Sequence, residues 1–378
     1  MAVLTEEQVI LGDQAKAWTR EQASIATFRK MRDDGENIGF LPETWKAICE
    51  LGWSGILIPE EYGGSGMDYR TFGVVLEETG RRLTASPLLA SGLVGATALI
   101  LGGSEDSKRE WLPKIANGTA IVTLAVDEAV HHAPQRIALS ATKTAAGYTL
   151  NGNKSFVLEG AAADALIVAV RTNGEAGDTD GITLLLVETS QPGISRCALK
   201  TADCRGYADI GFDNVQVTEA ALLGEEDQGF PVLDAVLDCG RAGLAAEMLG
   251  TGSEAFEITL EYLKTREQFG QVIGSFQSLG HRAATHFMEM ELARSCVEGA
   301  LVSLDNKADD AAQLCSLAKC QIGDFLYDMS NDMIQMHGGI GMTDEFDAGL
   351  FLKRARTTEA IYGNRSFHLN RYIGHYGI

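Results

Sequence analysis

Between residues 121 and 223 the chain is cut into short β-branched runs, and long helical periods stand on both sides of it. That order constrains the fold more than any other feature. The runs at 121–126, 165–170, 182–187 and 210–217 are rich in Val, Ile, Leu and Thr. Gly and Asx turns separate them, such as Asn151-Gly152 and residues 172–181, which predicts a small antiparallel β domain. Asn151-Gly152, after 148–150 and before 154–157, predicts a hairpin turn, because both residue types accept positive φ. Upstream, Ala47, Ile48 and Leu51 share one helical stripe. Phe72, Val75, Leu76 and Thr79 share another, with Glu77, Glu78 and Arg81 on the wet side. Gly63-Gly64 and Gly102-Gly103 break these helices. The uncharged stretch 85–104 holds Pro87 and several glycines, which favours a buried helix over a bilayer span. Downstream, Leu233, Val236, Leu237, Leu244, Met248 and Leu249 line one helix face, and further helices are expected at roughly 275–304, 308–335 and 349–372. Segregated elements rather than alternating βαβ units make the fold class α+β. The expected domains are 1–120 (helical), 121–225 (β) and 226–378 (a helical bundle).

Composition narrows the partners. With 45% hydrophobic residues over 378, the chain has material for a sizeable core, so a disordered chain is excluded. The charge sum is 31 − 52 = −21. That argues against a nucleic-acid or acidic-membrane partner and leaves room for a small anion held by local arginines. The seven cysteines form no CxxC pair, and MAVLTEEQVI carries no basic segment followed by an apolar core. Reduced thiols and a cytoplasmic location are therefore expected. No Walker A, no glycine-rich Rossmann turn after a strand and no metal-ligand spacing is present, so no metal is expected. Gly64-Ser65-Gly66 lacks the strand–elbow–helix setting of a hydrolase nucleophile.

Three constellations carry chemistry, each beside a plainer reading. Thr265-Arg266-Glu267-Gln268-Phe269-Gly270 closes a helix; it is either a C-terminal turn with a dipole-stabilising cation or an arginine aimed at a diphosphate with an aromatic beside it. Gln335 to Met342 places three glycines in four positions, which serves either as a helix stop or as a close approach of backbone N–H groups to a ligand. Asp238 and Arg241, at i and i+3, share a helix face as an ion pair or as a grip on a polar ligand.

These pieces fall in the order of a known family. Over nearly its full length the chain resembles the acyl-CoA dehydrogenases, through IPEEYGGSG at 58–66, NGNK at 151–154, FDNVQV at 212–217, LGEEDQGF at 223–230, RAGLAAEMLG at 241–250, YLKTREQFG at 262–270, IGSFQ at 273–277 and the Gln335–Gly341 turn. The resemblance implies an N-terminal helical domain, a middle β domain and a C-terminal four-helix bundle, assembled as dimers and usually tetramers. It implies FAD across a dimer interface and α,β-desaturation of a CoA thioester. A glutamate takes the α-proton, the β-hydrogen leaves as hydride, and electrons pass to an electron-transfer flavoprotein. Carried over by motif, Arg266, Phe269 and Gln277 match contacts to the ADP half of FAD donated to the other subunit. Gln335, Gly338 and Gly339 match its close-approach turn, and Asp238 and Arg241 match the thioester-tail motif.

The flavin-ring side departs from the family. Where the family reads TEPGAGSD this chain reads DEAVHHAP at 127–134, with His131 and His132 in place of the tight glycine turn; they lie at the surface as loop residues, close the old flavin cavity or bind something new. The W-I-T/S string is Phe156-Val157-Leu158, and Leu158 offers no hydroxyl. Both familiar base positions are glycine, Gly363 and Gly240. Glu247, two turns beyond Gly240 and ~10 Å along the axis, is the remaining carboxylate candidate, with an apolar neighbourhood expected to raise its pKa. The favoured expectation is an enzyme subunit that gives the ADP half of an FAD site to a sister acyl-CoA dehydrogenase subunit, on a bulky or steroid-like acyl-CoA. The alternatives are a homomeric dehydrogenase with Glu247 as base, and a non-catalytic acyl-CoA-binding protein.

Overall fold

The computed structural model describes residues 4–35 and 38–377. The described residues of Lys30–Phe72 and Ala85–Gly240 form one compact unit, and those of Met1–Arg29, Gly73–Thr84 and Arg241–Ile378 a second. Among the described residues no helix is long and apolar enough to cross a membrane.

In chain order the first helices are α1 (Glu6–Gln22), α2 (Ile25–Asp34), α3 (Pro42–Glu50), α4 (Tyr69–Arg81), α5 (Ala96–Gly102) and α6 (Glu105–Ala116). Their starts are written locally. Thr5 and Gln8 make a reciprocal capping box for α1, Pro42 sits in the first turn of α3, and the Ser104 hydroxyl accepts from Ser107 N at α6. The uncharged stretch forms a π-helical segment at Leu88–Gly95 that runs into α5, and every residue of that segment is buried.

The strands are β1 (Val122–Ala125), β2 (Ser140–Thr144), β3 (Gly147–Val157), β4 (Ala165–Arg171), β5 (Ile182–Glu188), β6 (Ile194–Ala198), β7 (Ala208–Thr218) and β8 (Leu222–Leu223). They form one sheet in the order β6-β7-β3-β2-β4-β5-β8, with β1 paired to β4. Strand β4 is buried along its whole length, as is β5 up to Val187, which explains unbroken apolar runs where alternation would mark a half-wet strand. The sheet departs from the antiparallel expectation at β1·β4 and at one β2·β4 pair, which are parallel. The β2–β3 hairpin lies between β1 and β4 in sequence and supplies the crossover that a parallel pair needs.

The hairpin itself closes elsewhere than the Asn-Gly signal predicts. Thr144 pairs with Gly147 around Ala145-Ala146, and Asn151-Gly152 lies inside β3. There the register against β7 shifts between Leu150 and Gly152, and a Cβ on Gly152 would fall 3.0 Å from Leu139 Cα. The glycine serves a bulge and a close approach, not a turn.

The second unit contains most of α7 (Phe230–Thr265), then the short hairpin β9 (Glu267–Gln268) and β10 (Gln271–Val272), α8 (Gln277–Asp305), α9 (Ala311–His337), α10 (Ala348–Ala360) and α11 (Arg365–Gly374). The predicted apolar face of α7 is buried throughout. Helix 349–372 is instead two helices. Tyr362 at φ 56° and Gly363 at φ 111° break it, and Asn364 caps α11 by accepting from Phe367 N at 3.0 Å. The supposed wet side of α4 is half-buried in ion pairs: Glu77 with Arg294 at 2.8 Å, and Arg81 with Glu257 at 2.9 Å. Helices α4 and α7 touch backbone to backbone. A Cβ on Gly80 would lie 2.0 Å from Glu247 O, and one on Gly250 would lie 1.8 Å from Glu77 O.

Candidate active site

The residues that the resemblance assigns to the ADP half lie at the end of α7, the start of α8 and the end of α9. Arg266 follows α7, with its N–H bonded to Tyr262 O at 2.9 Å and its side chain exposed. It launches the β9–β10 hairpin, whose two turn residues, Phe269 and Gly270, both have positive φ (55° and 80°). Such a turn lifts its first residue away from the body, and Phe269 is 92% exposed. Gln277 opens α8, exposed. Gln335 lies in the last turn of α9 and accepts Gly338 N with its carbonyl. Gly338 (φ 64°) and Gly339 border open space, as does Gly270: no atom lies within 4 Å of where a Cβ would stand. A cation, an exposed ring and bare backbone beside open space suit an adenosine diphosphate, whose charge needs an arginine and N–H groups and whose phosphates need room for close approach.

One contact ties the two ends together. The His337 ring packs at a tilt against Tyr262 and Phe346, with centroids 4.3 Å from each and planes 33° and 35° apart, and the Tyr262 hydroxyl donates to His337 O at 3.5 Å. Sequence reasoning passed over His337, though a lone histidine between Gln335 and the paired glycines was the available signal.

The catalytic positions tell a different story. Gly363 has no open space: a Cβ there would lie 2.4 Å from Phe367 Cδ1 and 2.9 Å from His368 Nε2. The loop is also fastened from below. Arg241, fully buried, donates Nε to Tyr362 O at 3.2 Å, and its guanidinium lies 5.3 Å from the Phe367 ring. Lys319 donates to Thr358 O at 2.8 Å and Glu359 O at 3.3 Å, holding the last carbonyls of α10. Burial drives the Lys319 ammonium pKa down to about 7, against the pull of Glu359. Cys320 Sγ reaches Arg365 O at 3.7 Å, and Arg365 pairs with Asp324 at 2.7 Å. Lys319 was missed because a lysine on the apolar stripe of α9 reads as an interruption of it. Asp238 lies buried on α7 one turn before Arg241. Glu247 is buried, but its Oε1 accepts from Arg354 Nη2 at 2.6 Å and Nε at 3.1 Å. Its surroundings are therefore not only apolar.

The stretch 127–134, which the resemblance sets against the flavin ring, is held by its own side chains. His132 Nδ1 lies 2.9 Å from both carboxylate oxygens of Asp127, with its ring nearly inaccessible, while His131 is exposed. Glu128 accepts from Ala138 N, Leu139 N and Lys154 Nζ at 2.8, 3.0 and 2.6 Å. Lys154 is wholly buried, which lowers its pKa to about 8 against the opposing charge of Glu128. Phe156, at φ 53°, stacks on Tyr207 of its own unit, with centroids 4.3 Å apart and planes 12° apart. Leu158 is buried and gives only its carbonyl, to Thr123 Oγ1.

Comparison with known proteins agrees with this architecture. Family models for the N-terminal, middle and C-terminal domains of acyl-CoA dehydrogenases match residues 5–119, 132–218 and 227–373. An acyl-CoA dehydrogenase of Bacillus subtilis is 30% identical over 98% of both chains. Cyclohex-1-ene-1-carbonyl-CoA dehydrogenase of Syntrophus aciditrophicus is 30% identical over 96% of this chain and 88% of that one. Among solved structures, butyryl-CoA dehydrogenase from Megasphaera elsdenii superposes with a TM-score of 0.92 at 26% identity over the full length of both. A variant of the Tcur3481-Tcur3483 steroid acyl-CoA dehydrogenase gives 0.89 at 27% identity, covering 98% of each chain. The chain belongs to the acyl-CoA dehydrogenase family of FAD-dependent oxidoreductases.

Proposed function

We propose that this chain is the subunit of a heteromeric acyl-CoA dehydrogenase that lends the ADP half of an FAD site to a sister subunit, while the sister supplies the flavin face and the glutamate. The observation that carries this reading is Gly363. At the place where the family carries its base, this backbone stands at φ 111° and the neighbouring volume is filled by Phe367 and His368. General-base catalysis contributes roughly 10²–10⁴-fold, so a site without a carboxylate is a poor dehydrogenase on its own. The latched 127–134 stretch and the Phe156–Tyr207 stack support the same reading.

Bound FAD would supply the acceptor for the β-hydrogen as hydride. The residues here would hold its adenosine diphosphate: Arg266 would meet the diphosphate charge, Phe269 and Gln277 would flank it, and Gln335, Gly338 and Gly339 would offer backbone to it. Asp238 and Arg241 carry the thioester-tail motif, and here Arg241 is buried and holds the Tyr362 carbonyl, so its part in that site would be to fix the loop. Glu247 serves as the partner of Arg354. In a self-sufficient enzyme it would have to leave that pair to reach a substrate.

The acyl group we propose is cyclic or otherwise bulky, in line with the cyclohexenecarbonyl-CoA and steroid dehydrogenases to which the chain is similar. We further propose an electron-transfer flavoprotein as the electron acceptor and domain borders near residues 120 and 225. The test is to purify the chain alone and together with the product of the adjacent reading frame, then record flavin absorbance and turnover. The pair should carry flavin and turn over while the lone chain does neither. A lone chain with full FAD occupancy and turnover ends this reading.

A further inference from the structure

We propose that His337 is a positioning residue for the ADP half of the FAD site: clamped between Tyr262 and Phe346, its ring fixes the Gly338-Gly339 turn against the end of α7 that carries Arg266. The inference rests on the assignment of that half-site to Arg266, Phe269 and the glycine turn.

The geometry fixes the tautomer as well as the place. Nδ1 lies 2.7 Å from Met333 O, a carbonyl that only accepts, so Nδ1 carries the proton. Nε2 is buried and has no hydrogen-bond partner among the described residues. The ring is 3% exposed. A neutral imidazole satisfies this site, since an acceptor nitrogen without a donor costs less than an N–H cation without an acceptor. Burial pushes the His337 pKa below its ordinary value, and the bond to Met333 O opposes this only in part.

Most of the charged groups around the clamp are paired. On α7, Glu254 pairs with Arg82 at 2.6 Å and Glu257 with Arg81 at 2.9 Å, while Glu261 is exposed at the edge of the adjoining cavity of about 420 Å³. Beside Phe346, Asp344 and Asp347 pair with Arg29. Further up α9, Asp332 is shared by Arg282 and His286 of α8. Among the described residues no acceptor meets a second ring N–H. Adding a proton to His337 therefore loosens the clamp, and with it the turn that carries Gly338 and Gly339. The sign follows from the lowered pKa: the grip is complete above the ordinary histidine value of 6.5 and weakens as pH falls below it.

The test uses the flavin-loaded assembly isolated with this chain, titrated with FAD after flavin removal at pH 7.5 and at pH 5. The unaltered assembly should bind FAD about tenfold more weakly at pH 5. His337→Phe keeps the ring packing and drops the titrating group. It should bind within about twofold of the unaltered protein at pH 7.5 and show no acid weakening. His337→Ala should weaken binding at both pH values. A His337→Phe profile that still falls at acid pH, or a His337→Ala assembly that folds and binds FAD normally, overturns the inference. Arg266→Ala separates the two levels. If that variant also binds FAD normally, the half-site assignment itself fails; if it alone weakens binding, only the role of His337 fails.

Discussion

A carboxylate at position 363 would need volume that the fold has already spent. Gly363→Glu places its Cβ within 2.4 Å of the Phe367 ring at a backbone angle that side chains resist. The overpacking alone costs ~1–3 kcal/mol, and the strained φ adds ~1–3 kcal/mol. The expected outcome is a lower melting temperature and no gain of turnover in the isolated chain, checked by calorimetry and a dye-reduction assay. At Glu247 the contrast between pair and base is testable. Removing one partner of a buried ion pair costs ~3–5 kcal/mol, because the other charge is left without compensation. Glu247→Leu and Arg354→Met should each destabilise by about that much, and the double variant should recover most of the loss, as read by a denaturant cycle. Turnover of the assembly that disappears in Glu247→Gln while its melting holds would instead make Glu247 the base.

Among the elements, those with a strong local pattern were legible and those shaped by distant contacts were not. The strands at 165–171 and 182–188 declared themselves by β-branched runs, and α7 by its apolar face. Asn151-Gly152 misled because the residue chemistry of a turn and of a bulge is the same, and only Leu139 packed against Gly152 decides between them. The break at 361–364 is likewise set from outside, by Arg241 on the Tyr362 carbonyl and by α9 holding both flanks. The Arg266–Gly270 and Gln335–Gly341 strings could be picked out because each is compact. The partners of Glu247 and Lys154 could not be, because those ion pairs join residues remote in sequence. The α9 clamp predicts a pH signature. Lys319 titrates near 7 in the fold and at 10.5 ordinarily, so the unfolded chain holds more protons between those values. Stability should rise with pH across about 7 to 10.5 from this residue. Lys319→Met should remove that slope while losing the hydrogen bonds to Thr358 O and Glu359 O, measured as chemical-denaturation stability against pH.

For the whole molecule, the proposal of a shared cofactor site rests on exposed Arg266 and Phe269 and on the filled volume at Gly363. Arg266→Ala and Phe269→Ser alter exposed groups, so the isolated chain should melt within ~0.5 kcal/mol of the unaltered protein. The flavin content of the assembly should fall several-fold in either variant, read as the ratio of visible to ultraviolet absorbance. An unchanged ratio would count against the shared site. The same hairpin tip offers a simple assay of pairing. An aromatic side chain held clear of the body on a tight turn is the kind of peptide that chymotrypsin nicks first. A brief digest should cut the solitary polypeptide after Phe269 and spare it once the sister chain has closed over the tip, so that a stained gel reports how much of a preparation has found its mate.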